Sequence, residues 1–220
     1  MGEIVNSFLL VYAALFPIVN PVGSAPIFLG LTRGSTEDER NVLARRVAIN
    51  GFFLLLGSLF VGSHVLEFFG ITLPVVRIAG GLVVSAFAWK LLQQGDPLED
   101  AAGRPTRAAT GPARPIDAFY PLTMPLTVGP GSISVAITLG SQRPAGPHDL
   151  AHLALLGGAA LAGLLAIAAT IFLCYRFAER IVSALGERGA SVLVRLSAFI
   201  LLCIGIQIIW NGYRALVGIT

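Results

Sequence analysis

The chain has 220 residues, 55% of them hydrophobic and 12% charged, with a formal net charge of +3. A charge fraction about half that of an ordinary soluble domain excludes water as the main solvent, and basic residues confined to short segments without stacking aromatics exclude a nucleic-acid-binding stripe. At about 20 apolar residues per bilayer crossing, the length accommodates one membrane domain of six or seven helices, with the lipid bilayer as its natural partner.

In chain order, the first apolar run covers 5–31. Met1-Gly2-Glu3 offers no basic run and no small-residue cleavage pattern follows, so this span is expected to stay in the mature protein. It contains Phe16-Pro17-Ile18-Val19-Asn20-Pro21-Val22-Gly23-Ser24-Ala25-Pro26. Each interior proline removes a backbone donor and collides with the preceding turn, costing about 3 kcal/mol, and Gly23 adds a propensity penalty. A helix that opens near mid-membrane is predicted.

Span two covers 47–69 and span three 71–92. His64 and Glu67 near the end of span two read as interfacial. Arg77 lies just inside span three, where it either snorkels to the headgroups or serves as a gate. The segment 93–117, with Asp96, Glu99, Arg104, Arg107, Arg114 and four prolines, reads as a solvated linker between two halves.

Span four, 118–139, is interrupted again by Pro121-Leu122-Thr123-Met124-Pro125-Leu126-Thr127-Val128-Gly129-Pro130-Gly131-Ser132. Span five covers 150–175 and span six 191–216. Span six carries Arg195, with the same alternatives as Arg77, and Gln207, which either reaches a cavity or ties two helices together. Runs such as 52–56 and 200–204 are apolar on every side, so barrel strands are excluded and helices remain. Cys174 and Cys203 sit singly in apolar runs and read as packing residues.

Arg33, Arg40, Arg45, Arg46, Lys90, Arg104, Arg107, Arg114, Arg176, Arg180 and Arg188 flank one face of the bilayer, against Arg143 and Arg214 on the other. Positive flanks are retained inside, which predicts both termini outside and the linker in the cytoplasm. Span one superposes on span four with Pro17 on Pro125, Gly23 on Gly131 and Ser24 on Ser132, and span three on span six with Arg77 on Arg195. An odd-numbered unit of three helices must re-enter from the opposite face. The expected architecture is therefore all-α, with six transmembrane helices as two inverted three-helix repeats, 1–92 and 118–220, and spans one and four broken.

A broken helix exposes carbonyls at the end of its first half and N–H groups at the start of its second, which suits a small zwitterion. The expected substrate residues are Asn20, Pro21, Gly23, Ser24, Thr123, Thr127, Gly129, Gly131 and Ser132, with Ser24 and Ser132 placed to cap the second half-helices. Arg77, Arg195 and Gln207 are the gate candidates. The alternative is a pair of packing kinks satisfied by neighbouring helices. No Asp or Glu lies in the middle of a span, so an embedded carboxylate relay is missing. No zinc, nucleophile-elbow, P-loop or paired-cysteine motif occurs, and no enzyme activity, catalytic residue, cofactor or metal is expected.

The stretches 20–29 and 121–133 and the run Arg77-Ile78-Ala79-Gly80-Gly81 closely resemble the MarC family, part of the wider LysE-type exporter superfamily. The matching motif positions are Asn20, Pro21, Gly23, Pro26, Arg77, Gly80, Pro125, Gly129, Pro130 and Gly131. The resemblance implies a multi-pass inner (plasma) membrane protein, of a family often associated with multiple antibiotic resistance, some members of which look like carriers of glycine and alanine. The expected function is a secondary transporter or exporter of small neutral amino acids working by alternating access. The alternatives are a passive channel for a small polar solute, a drug-efflux-related protein, or a helix-packing subunit. The sequence sets no oligomeric state, and a homo-oligomer is compatible with it.

Overall fold

Apolar runs of membrane length must satisfy their backbone internally. The computed structural model describes residues 2–32, 34–93, 116–141 and 150–218, and among them the only regular structure is helical. The helices are α1 (Gly2–Val19), α2 (Pro21–Leu31), α3 (Glu37–Phe60), α4 (Gly62–Phe68), α5 (Leu73–Gln93), α6 (Ala118–Thr127), α7 (Pro130–Ser141), α8 (Leu150–Arg176) and α9 (Ala178–Val217). Among the described residues, five of them, α1, α3, α5, α8 and α9, hold a stretch long and apolar enough to cross a bilayer, and α6 with α7, bent by 68°, makes a sixth if the pair counts as one span. Residues 94–115 of the expected linker lie outside the described residues.

Two boundaries differ from the hydropathy reading. Helix α3 begins at Glu37 because Thr36 and Glu39 form a capping box: Glu39 N–H donates to Thr36 Oγ1 at 3.3 Å and Thr36 N–H to Glu39 Oε2 at 2.8 Å. Arg40, Arg45 and Arg46 therefore ride on the first turns of α3 and not in a loop. Helix α9 begins at Ala178, well before 191, and is divided by Gly186 at φ 68°. Its membrane-length part runs from Arg188 to Val217.

The pairing of helices brings the two interrupted regions together. Helix α1 packs on α8 and α6 on α3; α2 packs on α9 and α7 on α5; α3 packs on α8 and α5 on α9. The main core joins Leu15, Phe28, Val47, Leu55, Leu122, Val128, Leu164, Ile167 and Ile171, all essentially inaccessible. A smaller one joins Val84, Ala88 and Leu201 between α5 and α9. Large apolar side chains such as Phe53 (63% exposed), Leu196 (55%) and Phe199 (56%) point outward. Water would penalise such a surface, whereas lipid tails cover it without cost.

Candidate functional site

The first interruption is a single residue wide. Pro21 has no N–H, and Asn20 takes the left-handed conformation (φ 47°, ψ 55°), which asparagine tolerates better than most side chains. Its Oδ1 accepts the Gly23 N–H at 3.2 Å, so Asn20 caps α2. Across the interruption Asn20 N–H still reaches the Phe16 carbonyl at 2.9 Å, but the Ile18 and Val19 carbonyls lose the donors that Val22 and Gly23 supply in a continuous helix.

Ser24 does not cap. It stands inside the first turn of α2, and its Oγ donates back to the Asn20 carbonyl at 2.8 Å. Gly23 meets α9 so closely that a Cβ there would stand 2.5 Å from Ser197 Oγ.

The second interruption is wider. Tyr120 and Met124 have extended φ/ψ within α6, and the Tyr120-Pro121 and Met124-Pro125 peptides are cis. Threonine hydroxyls satisfy carbonyls that this irregular path frees: Thr123 Oγ1 donates to the Ala118 carbonyl and Thr127 Oγ1 to the Leu122 carbonyl, both at 2.7 Å. Val128 is extended, and α7 starts at Pro130. The first backbone bond into α7 is Ile133 N–H to the Gly129 carbonyl at 3.1 Å, so its first turn presents the Gly131 and Ser132 N–H groups. Ser132 Oγ donates to the Gly129 carbonyl at 2.9 Å and, like Ser24, is not the cap. Gly131 lies directly against Val84 of α5, where a Cβ could not fit.

A cavity of about 90 Å³ lies where the interruptions meet. Asn20, Gly23 and Ser24 line it from one side, and Thr127, Gly129, Gly131 and Ser132 from the other. Its remaining walls are apolar, from Ile18, Val84, Phe87, Val194 and Leu201 among others. Among the described residues that line it there is no Asp, Glu, Lys, Arg or His, so the polarity they offer comes from backbone ends, the Asn20 amide and hydroxyls. Its volume is below the roughly 300–1,000 Å³ of pockets for drug-sized ligands.

Of the substrate residues expected from sequence, Pro21 and Thr123 are buried but do not line this cavity. The gate candidates also lie away from it. Arg77 Nε donates to Thr138 Oγ1 of α7 at 3.3 Å, Arg195 is exposed on α9, and Gln207 is exposed and donates to Asn211 on its own helix at 3.0 Å. Gln207 thus neither reaches the cavity nor ties two helices.

Two residues escaped the sequence reading. Asn50 Nδ2 of α3 approaches Thr123 Oγ1 at 3.5 Å, and its place as a polar residue in an apolar helix was a usable signal. The Tyr175 hydroxyl, from α8, bonds Thr127 Oγ1 at 2.6 Å. At the end of an apolar run, Tyr175 had the appearance of an ordinary interfacial aromatic. Among the described residues, no group of His, Cys, Asp and Glu could hold a metal ion.

The family model for "MarC family integral membrane protein" matches residues 5–217. The chain is similar to the UPF0056 membrane protein YvbG of Bacillus subtilis, at 31% identity over 94% of this chain and 93% of that one. It is similar to the UPF0056 inner membrane protein MarC of Salmonella typhimurium and that of Citrobacter koseri, each at 30% identity over 96% of both chains. No solved structure matches the chain.

Proposed function

Because the chain belongs to the MarC family of integral membrane proteins, a multi-pass class whose relatives include named inner membrane proteins, we propose that it is a secondary transporter, not an enzyme, for a small zwitterion of the glycine or alanine type. The observation that carries this reading is the meeting of the two interruptions at one cavity with opposite polar ends. The Gly131 and Ser132 N–H groups at the positive end of α7 suit a carboxylate. The Ile18 and Val19 carbonyls, at the negative end of α1, suit an ammonium, and the Asn20 amide completes the contact set. The size of the cavity favours a compact solute over a drug.

The proposed architecture is an inverted repeat, α1 to α5 against α6 to α9, with spans one and four broken. Its support lies in the packing. Exchanging the halves turns α1 on α8 into α6 on α3, and α2 on α9 into α7 on α5. The carrier then works by rocking one half against the other around the shared cavity. Both termini face outside and the 93–117 linker faces the cytoplasm of the cell that houses this inner membrane.

Counterflow in proteoliposomes tests the function. Vesicles preloaded with unlabelled glycine or alanine are expected to accelerate entry of the labelled amino acid. Entry indifferent to preloading indicates a pore, and no entry beyond that of empty liposomes for any amino acid overturns the reading.

A further inference from the structure

Tyr175 lines one cavity and bonds a residue that lines another. On one side is Thr127, which lines the central cavity and bonds the Tyr175 hydroxyl at 2.6 Å. On the other is a second cavity of about 440 Å³, lined by Tyr175 itself with Glu37, Arg40, Glu179 and Arg180. The ring stacks on Phe28 with centroids 4.4 Å apart and planes 15° from parallel, and both residues are almost completely buried. The Tyr175 side chain, bonded to Thr127 and stacked on Phe28, thus stands between a residue of the central cavity and the second cavity.

We infer that Tyr175 is the solute gate on this face, its ring leaving Phe28 and its hydroxyl leaving Thr127 whenever solute passes between the central cavity and the charged vestibule. The inference rests on the transporter reading and adds the route and its gating residue. Three features favour this wall as the moving one. The contacts that hold it are side-chain contacts, to Thr127 and Phe28, whereas at the far end of α7 closure is at the level of the main chain, Gly140 lying directly against the backbone of Leu59. Tyr175 stands two residues before Phe177, where α8 gives way to α9 through a non-helical residue (φ −98°, ψ 15°), so the ring lies beside a joint between helices and not in the middle of a rod. The vestibule holds both charge signs, with Arg40 Nη2 and Glu179 Oε2 at 2.8 Å and Glu179 two-thirds exposed, which suits a solute bearing both an ammonium and a carboxylate.

The test uses the full chain with Cys174→Ser and Cys203→Ser, reconstituted in vesicles, and Ser132→Cys as a reporter in the central cavity. A membrane-impermeant maleimide is applied from each face in turn. Tyr175→Ala is expected to raise reporter labelling from the face bearing Arg40 and Arg180 on the order of tenfold, the combined usual weight of one ring pair and one hydrogen bond. Labelling from the opposite face stays as before, and Tyr175→Phe, which keeps the stack, raises labelling less. Unchanged labelling from the vestibule face, or an equal rise from both faces, overturns the gate. An unchanged elution profile and helical circular dichroism of the Tyr175→Ala protein in detergent show that the variant is folded. Glycine binding measured on the unlabelled chain with its native Ser132 and Tyr175 separates the two claims: a protein that binds no amino acid but shows one-sided labelling loses the transport reading and keeps the gated wall.

Discussion

Gly23 and Ser197 are in contact across the α2–α9 boundary at a distance that leaves no room for a methyl group, a Cβ on Gly23 falling 2.5 Å from the serine hydroxyl. Gly23→Ala therefore forces the helices apart. The expected loss is about 1–3 kcal/mol of stability, the usual cost of overpacking, read as a lower melting temperature in detergent. Adding Ser197→Gly is expected to restore part of it. A Gly23→Ala protein as stable as the parent contradicts the packing.

Asn20 combines two jobs that substitution can separate. Asn20→Ala removes the α2 cap, worth about 1 kcal/mol, and puts an alanine in the left-handed region at a further 1–2 kcal/mol or so. Asn20→Gly relieves the second cost. Thermal melts should rank parent above Gly above Ala. Glycine binding by titration calorimetry should be weakened in both variants, since both lack the amide that faces the cavity.

Arg77 and Arg195 align in sequence but not in environment. Arg77 links α5 to α7 through Thr138, and Arg195 is exposed. Arg77→Ala is expected to cost about 1 kcal/mol, as for an ordinary hydrogen bond. Arg195→Ala should stay within about 0.5 kcal/mol, as for an exposed position. In a double-mutant cycle Thr138→Val should be coupled to Arg77→Ala and additive with Arg195→Ala. Equal costs for the two arginines would sink this distinction.

The charge asymmetry predicts the topology. With the C-terminus outside, as proposed, an alkaline phosphatase fused after Thr220 should be active, and a fluorescent protein at the same place dark. The reverse pattern inverts the orientation and moves the vestibule of Tyr175 to the outer face.

Much of this was legible in the sequence because it depends on near neighbours. Pro17 and Pro26 lie inside α1 and α2 without ending them, but Pro21 cannot donate and weakens the helix beside Asn20 whatever surrounds it. The same holds for Pro121 and Pro125 in α6. The Thr36–Glu39 capping box was equally local and available, yet hydropathy alone placed the start of span two inside the helix. The serines illustrate a local misreading: one turn into a helix, a hydroxyl has a carbonyl within reach behind it, so Ser24 and Ser132 bond backward and do not cap.

The sequence by itself determined that the chain is a helical membrane protein and where its helices are weakest, since lipid offers no alternative hydrogen-bond partner and proline removes a donor at a fixed position. Only the tertiary structure decided that the breaks share one cavity, that Arg77, Arg195 and Gln207 stand apart from it, and that Tyr175, a lining residue of the charged vestibule, bonds Thr127 of that cavity. Those outcomes depend on which helices touch. In lipid that choice is made by side-chain shape and close backbone approach across more than a hundred residues of chain, which no local pattern encodes.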